Sequence, residues 1–287
     1  MIGWVTVGVV AAGGIVALDR LANELVRPTP EAPDRTVPES GHDHEGFTIH
    51  SVGHELASWL LRPAEPRADT PLLVLAHGWG ASNGTVLQLA EPMVRGGHEV
   101  LLFDVRGHGR NQPSPFVTIR DFRDDVMAVV RYAAERFPGR RIVLVGHSLG
   151  GAASVLAVAE GAGVHGLVLI AAPSDVVGIT SEYLTDRGMP GPFLVTILRP
   201  FWWRRIGGSF RPHMPVRRIA ELRIPLLIIQ PENDQRVARH HAERLASAAG
   251  VPYHLIADHE HTDVLTAPET ARLVDEFVAG LPKDSCA

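Results

Sequence analysis

An α/β fold, a mostly parallel sheet covered by helices on both faces, is what this sequence predicts, on three observations. Short apolar runs rich in β-branched residues recur along the chain, amphipathic stretches of helical length separate them, and Gly, Pro, Asp or His closes each run. In a sheet of that kind function belongs at the carboxyl ends of the strands.

The elements follow in order. Residues 1–27 are mainly apolar, and 28–45, rich in Pro and charge, read as a linker to one domain over 46–282. Runs at 47–51 and 55–61 flank Val52-Gly53-His54 and predict a β-hairpin. Buried strands are expected at 72–76, 100–103, 142–145, 167–171 and 226–229 and a further strand at 254–257, with helices at 85–96, 119–137, 149–160, 238–249 and 268–279. Residues 173–222 form a connection far longer than the usual handful of residues, and such an excess predicts a cap over a site.

Composition narrows the function. A chain of 287 residues, 45% hydrophobic, can bury a large core, and a net charge of −5 gives no electrostatic footprint for nucleic acid. Cys286 is the single cysteine, so neither an intrachain disulfide nor a thiolate cluster can form. His42-Asp43-His44-Glu45 and His240-His241 look like ligand runs, but adjacent side chains diverge and no H-x-x-x-H helix accompanies them, so no metal is expected. No phosphate-binding loop or dinucleotide fingerprint occurs, and no cofactor is expected either.

The N-terminus allows several readings. No charge interrupts Ile2 to Leu18, and a helix of that length spans about 26 Å, slightly short of a bilayer core. Arg20, Arg27 and Arg35 follow, so a membrane anchor over 1–27 would leave the catalytic domain cytoplasmic. A helix docked on the domain or on a second copy is the alternative, with Gly3, Gly8, Gly13 and Gly14 permitting close packing; a cleaved signal fits less well. Oligomeric state is left open.

The chemistry centres on Gly146-His147-Ser148-Leu149-Gly150-Gly151, a G-x-S-x-G between an expected strand and an expected helix. Glycines two residues to either side allow a tight turn that lifts the Ser148 hydroxyl clear of the sheet. A serine needs a base to take its proton and donors for the oxyanion it creates. Such an elbow takes an acid and then a histidine from loops after later strands. Asp234 is the candidate acid, with Glu232 in reserve on the same loop; His261 is the candidate base, with His259 read as a surface residue. The backbone N–H groups of Leu149 and Trp79, the latter in His77-Gly78-Trp79-Gly80, are the candidate oxyanion donors. His77 reads as structural, and Asp104-Val-Arg-Gly-His-Gly109 as a loop that braces the site.

With these pieces in place, residues 46–280 resemble the α/β-hydrolase superfamily, in its serine-nucleophile branch of esterases, monoacylglycerol lipases and related acyl hydrolases. The likeness rests on His77-Gly-Trp-Gly80, the Asp104 loop, the Gly146 to Gly150 elbow, and Asp234 with His261-Thr262-Asp263. The chain departs from it at Arg110-Asn111, where a serine is frequent, and at Asp258-His259-Glu260, where glycines are usual. Ser148 in place of an aspartate argues against a haloalkane dehalogenase. The resemblance implies hydrolysis of lipid or other acyl esters through an acyl-enzyme. A thioesterase, amidase, peptidase or acyltransferase would use the same residues, and a receptor or scaffold on this fold is the non-enzyme alternative. In the cap, Phe193, Leu198, Phe201 and Trp202 are candidates to hold the acyl chain, unless they only pack the cap down; Arg199, Arg204, Arg205 and Arg211 give it a basic face.

Overall fold

The computed structural model describes residues 2–29 and 35–282, with side chains from residue 13 onward. Eight strands form one sheet: β1 (His44–Ser51), β2 (His54–Leu61), β3 (Leu72–Ala76), β4 (Val100–Phe103), β5 (Ile142–His147), β6 (Gly166–Ile170), β7 (Leu226–Pro231) and β8 (His254–Ile256). Their spatial order is β1-β2-β4-β3-β5-β6-β7-β8. The opening hairpin is antiparallel and joins β4 antiparallel; every later pair is parallel. Ser51 pairs with His54, so the turn is Val52-Gly53, both at positive φ as a two-residue hairpin with the sheet's twist requires.

Helices cover both faces because the parallel strands are apolar on both. Along β3, Leu72, Val74 and Ala76 face one core, shared with α3 (Ile119–Arg136), α4 (Leu149–Ala159) and α8 (His240–Ala249). Leu73 and Leu75 face the other, shared with α2 (Asn83–Arg95) and α9 (Pro268–Ala279). This is the period-two alternation of a strand with apolar residues in both phases. Thr118 starts α3 with a reciprocal capping box to Asp121.

The connection from β6 to β7 carries α5 (Val176–Asp186), α6 (Gly191–Arg205) and the short α7 (Pro215–Arg218). It packs a third core of its own, Leu184, Val195, Leu198, Trp202, Ile206 and Phe210, closed by Ala22 of α1 (Ile2–Leu25). Trp202 Nε1 donates to the Ala22 carbonyl at 2.9 Å, and Asp19 accepts from both Arg204 and Arg205 at 2.9 Å. The described part of α1 is thus docked on the cap. Among the described residues no helix is long and apolar enough to cross a membrane. The side chains of residues 1–12, the more apolar half of the expected anchor, lie outside the described set, as do Lys283 and Cys286.

The expected linker is partly built into the domain. Val37 is fully buried in the second core, its N–H donates to Asn83 Oδ1 at 2.9 Å, and β1 already begins at His44. Upstream, the Val26 carbonyl accepts from Val117 N–H at 2.9 Å. The chain then passes beside Gly107 and Gly80, so the N-terminal segment lies along the loops at the carboxyl edge of the sheet.

Candidate active site

Ser148 stands between β5 and α4 with φ 53° and ψ −127°, a conformation that a residue with a Cβ adopts only under constraint. The constraint is visible. A Cβ on Gly146 would lie 2.4 Å from Gly151 Cα, and one on Gly150 would lie 2.4 Å from the Ala76 and His77 carbonyl oxygens. The elbow is therefore wedged between its own helix and β3, and Ser148 N–H donates to the Ile170 carbonyl of β6 at 2.9 Å. Gly78 presses on the nucleophile from the other side: its Cβ would sit 2.7 Å from Ser148 Cβ.

Asp234 and His261, twenty-seven residues apart, meet at the ends of β7 and β8. His261 Nδ1 is 2.9 Å from Asp234 Oδ2, while Asp234 Oδ1 accepts the N–H groups of Arg236 and Val237 at 2.9 and 2.8 Å. Both side chains are nearly buried. Glu232 is exposed and accepts from Asp258 N–H; His259 is half-buried and bonds the Ala257 carbonyl. Of the two acids and two histidines on these loops, only Asp234 and His261 are paired. No hydrogen bond joins Ser148 Oγ to His261 among the described residues. The imidazole is instead held near the elbow through His147, whose ring centroid is 4.8 Å from that of His261. His147 Nε2 lies 2.8 Å from the His261 carbonyl, which can only accept, so His147 donates through Nε2. Burial pushes its pKa down to about 3.

His77 acts on the loop carrying the first oxyanion candidate. Its Nε2 accepts Val105 N–H at 2.9 Å, which leaves the proton on Nδ1 to donate to the Gly78 carbonyl at 2.8 Å. The Gly78–Trp79 peptide is trans, so a carbonyl turned toward His77 turns the Trp79 N–H away from it. Burial lowers the His77 pKa to about 4 and keeps this tautomer. Neither Trp79 N–H nor Leu149 N–H donates to a carbonyl among the described residues. The Trp79 indole stacks on Phe122 and meets the edge of His108.

The loop after β4 braces these groups. Asp104 accepts from Asn83 N–H at 2.6 Å and Arg110 N–H at 2.9 Å, and Arg106 forms a buried ion pair with Asp125 that also bonds Ser51. Burial raises the pKa of both carboxyl groups against these bonds. Asn83 and Asp125 carry no motif of their own; they are 21 and 19 residues from their partners.

Of the cap residues expected to hold an acyl chain, Leu198 and Trp202 pack against α1, Phe201 borders that core, and Phe193 is 61% exposed. Glu182, His240 and His241 bring three metal-ligating side chains together. His241 Nδ1 accepts the Ser174 N–H, so its proton sits on Nε2 and points at Glu182 at 3.1 Å. A neutral histidine so placed has no lone pair for a metal, and the cluster ties α5 of the cap to α8.

An elbow serine after β5 at the carboxyl edge of a mostly parallel sheet, with an acid–histidine pair beyond the ends of β7 and β8, is the arrangement of an α/β-hydrolase fold. Comparison with known proteins agrees with that fold and finds this chain similar to proteins described as lipases and esterases. Residues 67–185 match the family model described as serine aminopeptidase, S33. The protein YfhR of Escherichia coli O157:H7 is 25% identical over 227 residues, 75% of this chain and 72% of that one. Human monoglyceride lipase is 31% identical over 150 residues, 50% of this chain and 48% of that one. Among solved structures, the Pyrococcus furiosus esterase Pf2001 has the same fold, with TM-score 0.69 at 18% identity over 88% of this chain and 99% of that one.

Proposed function

We propose that this chain hydrolyses carboxylic esters through an acyl-enzyme on Ser148. His261 Nε2 takes the Ser148 proton as Oγ attacks the ester carbonyl carbon. Asp234 holds Nδ1–H and stabilises the imidazolium. The oxyanion is held by the N–H groups of Trp79 and Leu149. The proton passes to the departing alcohol, and water activated by His261 then releases the acid and restores Ser148. One observation carries the reading: the buried Asp234–His261 bond of 2.9 Å is set beside a serine constrained at φ 53°.

The test is mass spectrometry after a serine-reactive fluorophosphonate, alongside p-nitrophenyl esters of increasing acyl length. The expected result is one adduct on Ser148, with turnover lost in Ser148→Ala. A folded protein that takes no adduct, or a variant with undiminished turnover, would sink the proposal. The matched family model favours peptidase activity as the second reading; amino-acid p-nitroanilides offered beside the esters distinguish the two.

A further inference from the structure

A cleft of about 510 Å³ opens where the cap leaves the sheet. Arginines from three separate elements line it: Arg199 of α6, Arg211 of the 3-10 turn at Arg211–His213, and Arg217 of α7. None of the three has a carboxylate partner among the described residues, whereas neighbouring Arg204, Arg205 and Arg218 are all ion-paired. The cleft's acid, Asp175, is already engaged, because its Oδ1 caps α5 by accepting Val177 and Gly178 N–H groups at 2.9 Å. Three permanent cations therefore face one committed carboxylate. Arg199 is held 5.4 Å over the Phe210 ring, and Phe210 and Met214 give the cleft an apolar wall.

Position relates the cleft to the nucleophile. Ser148 N–H donates to Ile170 O, so Ala171 lies beside Ser148 on the adjoining strand end. Strands lie about 4.8 Å apart and the four residues on to Asp175 reach at most about 14 Å, so this wall is within about 20 Å of Ser148. We propose that the cleft is a subsite for the anionic end of an acyl substrate, a carboxylate or phosphate on a chain whose ester lies at Ser148. The proposal rests on ester hydrolysis at that residue. Guanidinium groups suit such an end because they stay charged and present paired donors to planar or tetrahedral oxyanions. The apolar wall suits the chain leading to it.

The experiment compares mono-p-nitrophenyl esters of straight diacids with p-nitrophenyl esters of neutral acids of equal length. Wild type and the exposed double variant Arg211→Ala/Arg217→Ala are assayed together. The expected result is a preference of roughly tenfold or more in kcat/KM for the carboxylated ester once the chain is long enough to bridge the gap. That preference disappears in the double variant, while hydrolysis of neutral esters does not change. Esters cleaved with no preference at any length, or with one the variant retains, overturn the subsite. A second arm measures the thermal shift given by glutarate and by inorganic phosphate on Ser148→Ala, with and without the two arginines. The stronger anion identifies which headgroup the cleft takes. If no ester is turned over, the hydrolysis reading fails and this arm decides alone. Stabilisation that needs the arginines supports the anion site, and its absence overturns it.

Discussion

Gly78→Ala should damage catalysis with little damage to the fold, and the size of the effect follows from the geometry. The new Cβ would lie 2.7 Å from Ser148 Cβ, 3.2 Å from Ser148 Oγ and 3.4 Å from the His147 carbonyl. Carbon atoms pack at about 3.5–4.0 Å, so roughly 1 Å must be found. Neither side yields easily. Ser148 is fixed by the glycine-wedged elbow and its bond to Ile170, and the Gly78 carbonyl is held by His77. The loop carrying the Trp79 N–H, or the nucleophile itself, must therefore move by about that amount. A misplacement of about 1 Å costs on the order of 10²-fold, and loss of an oxyanion donor about 10²–10³-fold. The expected outcome is a kcat about a hundredfold lower for a p-nitrophenyl ester, a KM changed little, and fluorophosphonate labelling slowed in parallel. Gly163→Ala, where an added Cβ meets nothing within 4 Å, is the control. A folded Gly78→Ala protein with kcat within about threefold of wild type would refute the argument that this loop bears on the nucleophile.

Asp234→Asn should cost about 10³–10⁴ in kcat with the protein still folded, because an amide cannot hold His261 in the tautomer that accepts the serine proton; steady-state kinetics beside a thermal melt check it. Stability should fall steeply between pH 6.5 and pH 4. Burial lowers His77 and His108 to about 4 and His147 to about 3, so the unfolded chain binds protons in that window that the folded chain refuses. Each group adds a slope of about 1.4 kcal/mol per pH unit near pH 5, opposed in part by the raised carboxyls of Asp104 and Asp125. Urea midpoints at pH 7, 6 and 5 test this, and a flat profile contradicts it. Val52→Asn should stabilise the protein by about 0.5–1 kcal/mol, since a 73% exposed β-branched residue at φ 42° occupies a turn position that asparagine tolerates better. The melting temperature should rise by about 1–4 °C, and a fall would count against the strain argument.

Much of this protein was legible in the sequence because the relevant forces are local. The parallel strands bury both faces, so they read as unbroken apolar runs at 72–76 or 142–145 without knowledge of their neighbours. The elbow is legible for the same reason: the glycines that relieve its crowding sit two residues from Ser148. The long insertion between β6 and β7 declares a cap by length alone. Residues distant in sequence and alike in type were decided only in three dimensions. Glu232 and Asp234 share a loop, as do His259 and His261, and only the relative placement of β7 and β8 pairs one of each. The tautomer of His77, and with it the facing of the Trp79 peptide, depends on Val105, twenty-eight residues on. The N-terminal segment reads in the sequence as a membrane anchor, yet the described side chains of α1 pack on the cap, through Trp202 and Arg205 some 180 residues away. Arg199 and Arg211 read only as part of a basic face, and Arg217 carried no reading at all, until the cap turned three separate elements toward one cleft. Hydrophobic period and turn chemistry act between neighbours and are written in order along the chain, whereas pairing and convergence act through space and exist only once the layers have packed.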